Sequence, residues 1–283
     1  MQVPDALPVY AVSGSGARPV GVRSGISDVH EALAGAGVGV YTAMRSTPAG
    51  GVLSLSAHLD RLADSCRSVG LCRPDEDAIR RALRAVLPGL GSAGCMARLD
   101  VRSVPAPHLD TDATTLLALW PLRSDAGADA ERGVAVVTAP GARRVSPEVK
   151  SIAWMEERRR WLRDPDAAEH VLVDPVGRLL EGFTSSLLGV VDGELWTPAE
   201  GVLPGVTLAP LLEQARALGM PVRRRPIPQD GRLSELALTS SGRGIWPVVS
   251  VDGRRVGTGR PGPVVRRLVD AWSRAWSDWV ERP

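Results

Sequence analysis

Of the 34 lysine and arginine residues in this 283-residue chain, only one, Lys150, is a lysine. Arg and Lys replace each other on a solvated face, but only a lysine amine can deprotonate and form an imine with an aldehyde. The count by itself is compatible with a chance survivor of an arginine-rich composition, so the neighbourhood must decide. Glu181 follows Leu179 and Leu180 and precedes Gly182, which fits either an exposed turn or an acid aimed into a cleft. Leu203-Pro204-Gly205-Val206-Thr207 opens a helix, whose free N–H groups and dipole favour an anion. Thr239-Ser240-Ser241-Gly242 ends a strand in hydroxyls and a glycine that could complete an anion cradle. Arg61 lies beside the apolar stripe of a helix, reaching inward or remaining in solvent. Arg98, Asp100 and Arg102 alternate with Leu99 and Val101 and so share one strand face. That face reads as solvent-exposed or as a carboxylate-binding wall.

An imine-forming amine, an acid, a phosphate cradle and a cation for a carboxylate are what a pyridoxal-phosphate (PLP) site requires. The acid matters because a protonated pyridine nitrogen lets the ring accept electrons from the substrate Cα.

The elements that must position these groups are legible from periodicity. Residues 38–45 and 52–55 read as strands around the Pro48-Ala49-Gly50-Gly51 turn. A helix carries Leu59, Leu62, Cys66 and Val69 and closes at Gly70; a second starts near Asp75-Glu76 and stops at Pro88-Gly89. Strands follow at 97–103 and 115–121, then a small polar stretch at 124–130 that reads as a domain boundary. Beyond it, strands are expected at 134–138, 170–174, 179–183, 185–191, 194–197, 222–227 and 236–240, with a hairpin at Asp252-Gly253. Helices are expected at 151–163, 207–218 and 264–280, the last with Leu268, Trp272, Trp276 and Trp279 near one face. Hydrophobic residues at 44% and charged residues at 23% suit a globular chain with a core. A net charge of +2 with scattered arginines argues against a nucleic-acid surface. No run is long and apolar enough for a membrane span, and residues 1–5 lack a signal-peptide pattern. Cys66, Cys72 and Cys95 have no metal-site spacing and read as reduced thiols in a cytoplasm; no metal is expected.

Taken together the motifs resemble the class IV aminotransferases, of PLP fold type IV. Gly39-Val40-Tyr41 through Arg45 and Ala57-His58-Leu59-Asp60-Arg61-Leu62 are similar to that family's opening motifs. Val149-Lys150-Ser151 resembles its lysine motif, and Val173-Asp174 through Glu181-Gly182-Phe183-Thr184-Ser185 its pyridine-nitrogen glutamate motif. Thr197-Pro198 with the 203–207 run resembles its phosphate loop, and Thr239-Ser240-Ser241 with Pro247-Val248 and Val251-Asp252-Gly253 its final motif. The resemblance covers residues 35–272 in order.

The resemblance implies an α+β, two-domain protein: residues 1–123 a smaller N-terminal α/β domain, residues 132–283 a larger PLP-binding domain, with PLP between them. It implies Lys150 as the Schiff-base and proton-shuttling residue and Glu181 as partner of the pyridine nitrogen. Arg61, the backbone of Val206 and Thr207, and Ser241 would hold the phosphate; Tyr41, Thr42, Arg98, Arg102 and Gly242 would meet an amino-acid or keto-acid substrate. A homodimer is implied as well. Four departures leave the substrate class open: Ser186 stands where the family usually has Asn, Leu208 for Arg, Met155 for the Tyr of branched-chain enzymes, and Thr42 for Glu. Tyr41-Thr42 and Leu55-Ser56-Ala57-His58 are also similar to aminodeoxychorismate lyases, which share the lysine but release pyruvate. The expectations are therefore a transaminase, a lyase of the same fold, or a catalytically silent PLP-binding protein.

Overall fold

The computed structural model describes residues 8–26, 28–35, 37–88, 94–122 and 126–283. Residues 1–5, Gly89, Ser124 and Asp125 of the sequence reading lie outside the described residues. The chain divides into two compact units, Met1–Leu122 with Val149–Trp154 and Trp279–Pro283, and Arg123–Glu148 with Met155–Asp278.

In the first unit the elements are β1 (Val9–Ser13), β2 (Gly16–Pro19), α1 (Val29–Ala32), β3 (Gly39–Arg45), β4 (Val52–Leu53), α2 (Leu55–Ser68), α3 (Glu76–Val86), β5 (Cys95–Arg102) and β6 (Thr115–Pro121). The strands form an antiparallel sheet in the order β2-β1-β6-β5-β3. Period-two alternation gives it two apolar faces. One, with Val40, Met44, Ala97, Leu99 and Leu117, packs on the Leu55, Leu59, Leu62 and Cys66 stripe of α2 and on Ile79 and Leu83 of α3. The other, with Val9, Ala11, Leu116 and Ala118, packs on Val29 and Ala32 of α1 and on Leu33. Helix α3 starts where the Asp75 side chain accepts the Ala78 N–H at 2.9 Å, with Glu76 and Asp77 favourable at the dipole's positive end.

Residues 149–154 add to the edge of this sheet. The Tyr41 N–H donates to the Lys150 carbonyl at 2.9 Å, and Val40 bridges Ser151. Glycine at position 39 gives Ile152 room, since a Cβ there would stand 2.6 Å from Ile152 Cδ1.

In the second unit the elements are α4 (Ala126–Arg132), β7 (Val134–Thr138), α5 (Ile152–Glu157), β8 (Glu169–Val173), β9 (Leu179–Gly182), β10 (Ser186–Val191), β11 (Glu194–Thr197), α6 (Leu208–Ala217), β12 (Val222–Arg224), β13 (Leu233–Ser240), β14 (Gly244–Val251), β15 (Arg254–Arg255) and α7 (Pro263–Ala275). Of α5, only the end from Met155 onward counts in this unit. The sheet runs β12-β11-β10-β13-β14-β7-β8-β9, with β15 on β14. It curls until β9 meets β10 at the Glu181–Ser186 pair. Val136, Val171, Leu179, Leu187, Leu236, Leu238 and Trp246 fill its core. The remaining strand, β16 (Val280–Glu281), belongs to the first unit and pairs with β4.

The fold is α+β, as the pattern implies, and the strands and helices expected from residue 38 onward are largely present. Several boundaries differ. The stretch read as a boundary at 124–130 holds α4 from residue 126. The helix expected over 151–163 ends at Glu157 and tightens into a 3-10 turn, Arg158–Trp161. The helix expected to run to 280 ends at Ala275, because Val280 and Glu281 take ladder bonds with β4 instead. Strand β12 stops at Arg224 rather than reaching 227. Among the described residues no helix is long and apolar enough to cross a membrane.

Candidate active site

In the first unit the described contacts gather around β3. The Lys150 N–H donates to Ser65 Oγ of α2 at 3.3 Å, so the lysine backbone is fixed on two sides. Its Nζ lies 4.7 Å from the centroid of the Tyr41 ring, a cation–π distance. On the sheet face that carries Tyr41, the Arg98 guanidinium stands 4.6 Å from the same centroid. Arg98, Asp100 and Arg102 do share that face, and it is not solvent: they are 1%, 0% and 4% exposed. Asp100 accepts Arg98 Nε at 2.6 Å and Nη2 at 2.8 Å, a bidentate pair, and Arg102 Nη1 at 3.4 Å. Arg102 Nη1 also donates to the Leu33 carbonyl at 2.8 Å. Burial removes the solvent-exposed reading of this face, and the first carboxylate it walls is its own Asp100.

On the opposite face, toward α2, Thr42 is fully buried between His58 and Arg61. Arg61 Nη2 donates to Thr42 Oγ1 at 3.0 Å, and Thr42 Oγ1 lies 2.7 Å from His58 Nδ1. Burial first, then the positive charges of Arg61 and Lys150, hold the His58 pKa well below its usual value. A neutral ring keeps one donor and one acceptor nitrogen, so Arg61, Thr42 and His58 form a hydrogen-bonded chain that adds no further positive charge. Thr42, expected to meet substrate, is an acceptor for Arg61 in this arrangement.

In the second unit Glu181 is 3% exposed, an interior acid rather than an exposed turn residue. Its Oε1 lies 2.7 Å from Arg144 Nε, and its Oε2 accepts the Leu203 N–H at 3.1 Å. The next loop is pinned by Glu169 of β8, whose Oε2 accepts Thr184 Oγ1 at 2.5 Å, the Thr184 N–H at 3.1 Å and Ser185 Oγ at 3.1 Å. His170 Nε2 accepts the Arg163 N–H at 3.0 Å; burial, partly opposed by Glu169 and Asp164, lowers its pKa.

The Leu203–Thr207 run leads into α6, whose N-terminus has no side-chain cap. Thr207 Oγ1 lies 2.9 Å from Ser241 Oγ, so hydroxyls from two elements converge beside the half-buried Val206. A Cβ on Gly205 would collide with Ser186 Oγ, so glycine lets the loop pass this close to β10 with the Ser186 side chain as placed. Thr239 Oγ1 is buried, with no hydrogen-bond partner among the described residues. Uncapped helical N–H groups and converging hydroxyls are a donor set that fits a phosphate. Buried Glu181 fits the protonated nitrogen of a ring, because an ionised carboxylate accepts hydrogen bonds and balances a buried positive charge.

The sequence reading did not find Arg144, Glu169 or His58 as partners of site residues. Arg144 is one of many arginines and carried no signal. His58 had one: it stands one turn before Arg61 on the same helix.

Comparison with known proteins places this geometry. Residues 39–251 match the model of the amino-transferase class IV family. The branched-chain-amino-acid aminotransferase of Salmonella typhimurium is 28% identical over 235 residues, 77% of this chain and 71% of that protein. That of Pseudomonas aeruginosa is 27% identical over 264 residues, 83% of each. The solved branched-chain amino acid aminotransferase of Escherichia coli superposes with a TM-score of 0.74 at 24% identity, covering 98% of this chain and 97% of that one. A second solved branched-chain enzyme, the T.th. protein with pyridoxamine 5'-phosphate, gives 0.77 at 22% identity, covering 99% of both. With a family match across most of its length, the chain belongs to the class IV aminotransferases.

Proposed function

We propose that this chain is a PLP-dependent aminotransferase that moves an amino group between an amino acid and a 2-keto acid, with Lys150 holding the cofactor. The observation that carries the reading is the placement of the chain's one lysine. Its backbone is bound to both β3 and α2, and its amine lies over the Tyr41 ring, within the span that matches the family. Solved relatives with pyridoxamine 5'-phosphate and with N-(5'-phosphopyridoxyl)-L-glutamate support both the cofactor and an amino-acid substrate.

Bound PLP supplies a conjugated ring that accepts electrons from the substrate Cα. Lys150 Nζ would hold the aldehyde carbon of the cofactor and would move the proton at the substrate Cα. Glu181, ion-paired with Arg144 and accepting the Leu203 N–H, would hold the pyridine nitrogen. Arg61, the N–H groups of Val206 and Thr207, and the Ser241 hydroxyl would hold the phosphate. Tyr41 and Gly242 touch the substrate, and Arg98 and Arg102 set the positive field behind Tyr41.

The purified protein incubated with PLP should be yellow, and borohydride followed by peptide mapping should place the pyridoxyl group on Lys150. Amino donors tried with keto-acid acceptors should then turn over, and pyruvate release from aminodeoxychorismate without an acceptor should be absent. A folded protein that stays colourless with excess PLP would overturn the reading.

A further inference from the structure

We propose that the second unit carries a ligand site outside the candidate active site, a cavity bordered by β9, β11, β12 and β13 that takes an aromatic acid with a single carboxylate. The cavity has a volume of about 380 Å³ and is lined by Arg178, Trp196, Arg225, Pro226, Pro228 and Arg232. That size suits a small organic molecule. Arg178 stands just before β9, Trp196 lies on β11, and Arg232 stands just before β13. The 225–228 run leaves β12 and crosses to β9, where Ile227 and Leu179 exchange both backbone hydrogen bonds, at 2.8 and 3.1 Å. Pro226 and Pro228 flank that bridge with fixed φ, so this wall is formed before a ligand arrives. Successive strand residues face opposite sides of a sheet. Trp196 therefore faces away from Thr197, which lines a separate cavity beside Glu181.

Charge decides the ligand. The wall holds three guanidinium groups and no carboxylate. Two of the three are already neutralised, Arg178 by Asp174 at 2.6 Å and Arg232 by Asp230 at 2.8 Å. Glu194, on the Trp196 face of β11, is taken by Arg223 at 2.7 Å. Arg225 makes no ion pair among the described residues, and its guanidinium carbon lies 5.7 Å from the centroid of the Trp196 ring. One cation to spare matches one carboxylate rather than a polyphosphate. Beside it the half-buried Trp196 indole, packed against the core of the unit, and the two prolines offer flat apolar surface to a ring.

The test is equilibrium dialysis of the full-length, PLP-loaded protein against 2-naphthoate. Two controls run beside it: 2-naphthamide, which has the ring without the charge, and hexanoate, which has the charge without the ring. 2-Naphthoate should bind on the order of tenfold more tightly than either. Arg225→Gln, at an exposed position, should weaken it on the order of tenfold to a hundredfold, the worth of a charge-assisted bond. Trp196→Leu should bring 2-naphthoate close to hexanoate. The same affinity should be found without PLP, so the outcome stands apart from the aminotransferase reading. Absence of saturable binding, equal binding of acid and amide, or wild-type affinity in Arg225→Gln each overturns the proposal. Binding that a keto-acid substrate displaces and that survives Arg225→Gln belongs to the active site and overturns it too.

Discussion

Replacing Glu181 with glutamine changes one atom and tests the acid's role most directly. Its two oxygens face two donors, Arg144 Nε at 2.7 Å and the Leu203 N–H at 3.1 Å. An amide has one acceptor oxygen, so in either rotamer its NH2 meets a donor. One buried donor left unmet costs about 1–3 kcal/mol, which for a protein of this size lowers Tm by roughly 2–10 °C. The chemical effect should be larger. Losing a preorganised electrostatic partner costs about 3–4 kcal/mol in the barrier, or on the order of a hundredfold to a thousandfold in kcat. PLP should remain bound, because the proposed phosphate donors at Val206, Thr207 and Ser241 are untouched. Single-turnover kinetics with saturating donor, run beside a thermal melt and a PLP titration, separates these effects. A lowered Tm with kcat within threefold of wild type would refute the argument and leave Glu181 as a structural partner of Arg144.

Two further outcomes follow from buried charge. Asp100→Asn leaves Arg98 and Arg102 sharing no carboxylate at 1% and 4% exposure, and should cost about 3–5 kcal/mol in urea unfolding. The Arg98→Met/Asp100→Leu pair removes one of the two stranded cations and should recover part of this, and a single variant as stable as wild type would show that the cluster carries no compensated charge. His58 has its folded pKa lowered by burial, Arg61 and Lys150, so the unfolded chain binds the proton more readily. Its contribution is therefore present above pH about 6.5 and lost as pH falls from there toward the folded value, at up to about 1.4 kcal/mol per pH unit. Denaturation midpoints between pH 7.5 and 5 should show this slope, with His170 adding in the same direction. His58→Asn, whose side-chain oxygen can stand in for Nδ1, should flatten it; an unchanged slope would refute the assignment.

The parts of the fold that could be read from sequence are those where one residue period dominates. Helix α2 shows its stripe at Leu55, Leu59, Leu62 and Cys66, and β5 alternates Leu99 and Val101 with charge. Where periodicity stops, so does the reading. After Met155 the chain runs Glu156-Glu157-Arg158-Arg159-Arg160, five charged residues in succession. With nothing to bury, α5 gives way to a 3-10 turn, and Leu162 is left 55% exposed. The tryptophans of α7 mislead in the opposite way. Trp272 is buried, but Trp276 and Trp279 leave the helix because their successors find strand partners in β4. Strands β1 and β2 went unread, and the pairing of β1 with β6 is a long-range contact that no local pattern announces.

The candidate site divides along a different line. Lys150 stood out because composition isolates it, and Glu181, Thr207 and Ser241 because they end or begin elements. Partners drawn from the arginine pool could not stand out. Arg144 and Arg243 look identical in sequence to solvated arginines, Arg98 stood out only by its strand alternation, and what distinguishes all three is what each guanidinium meets. Arg144 meets the carboxylate of β9, Arg98 an aspartate two residues away on its own strand, and Arg243 the face of an indole. A strand period could place Arg98 and Asp100 on one face, because two residues is the repeat of a strand. It could not say that the face is interior, because that depends on α1 and the Leu33 carbonyl covering it. In a chain whose cations are almost all arginine, burial rather than residue type separates chemistry from surface.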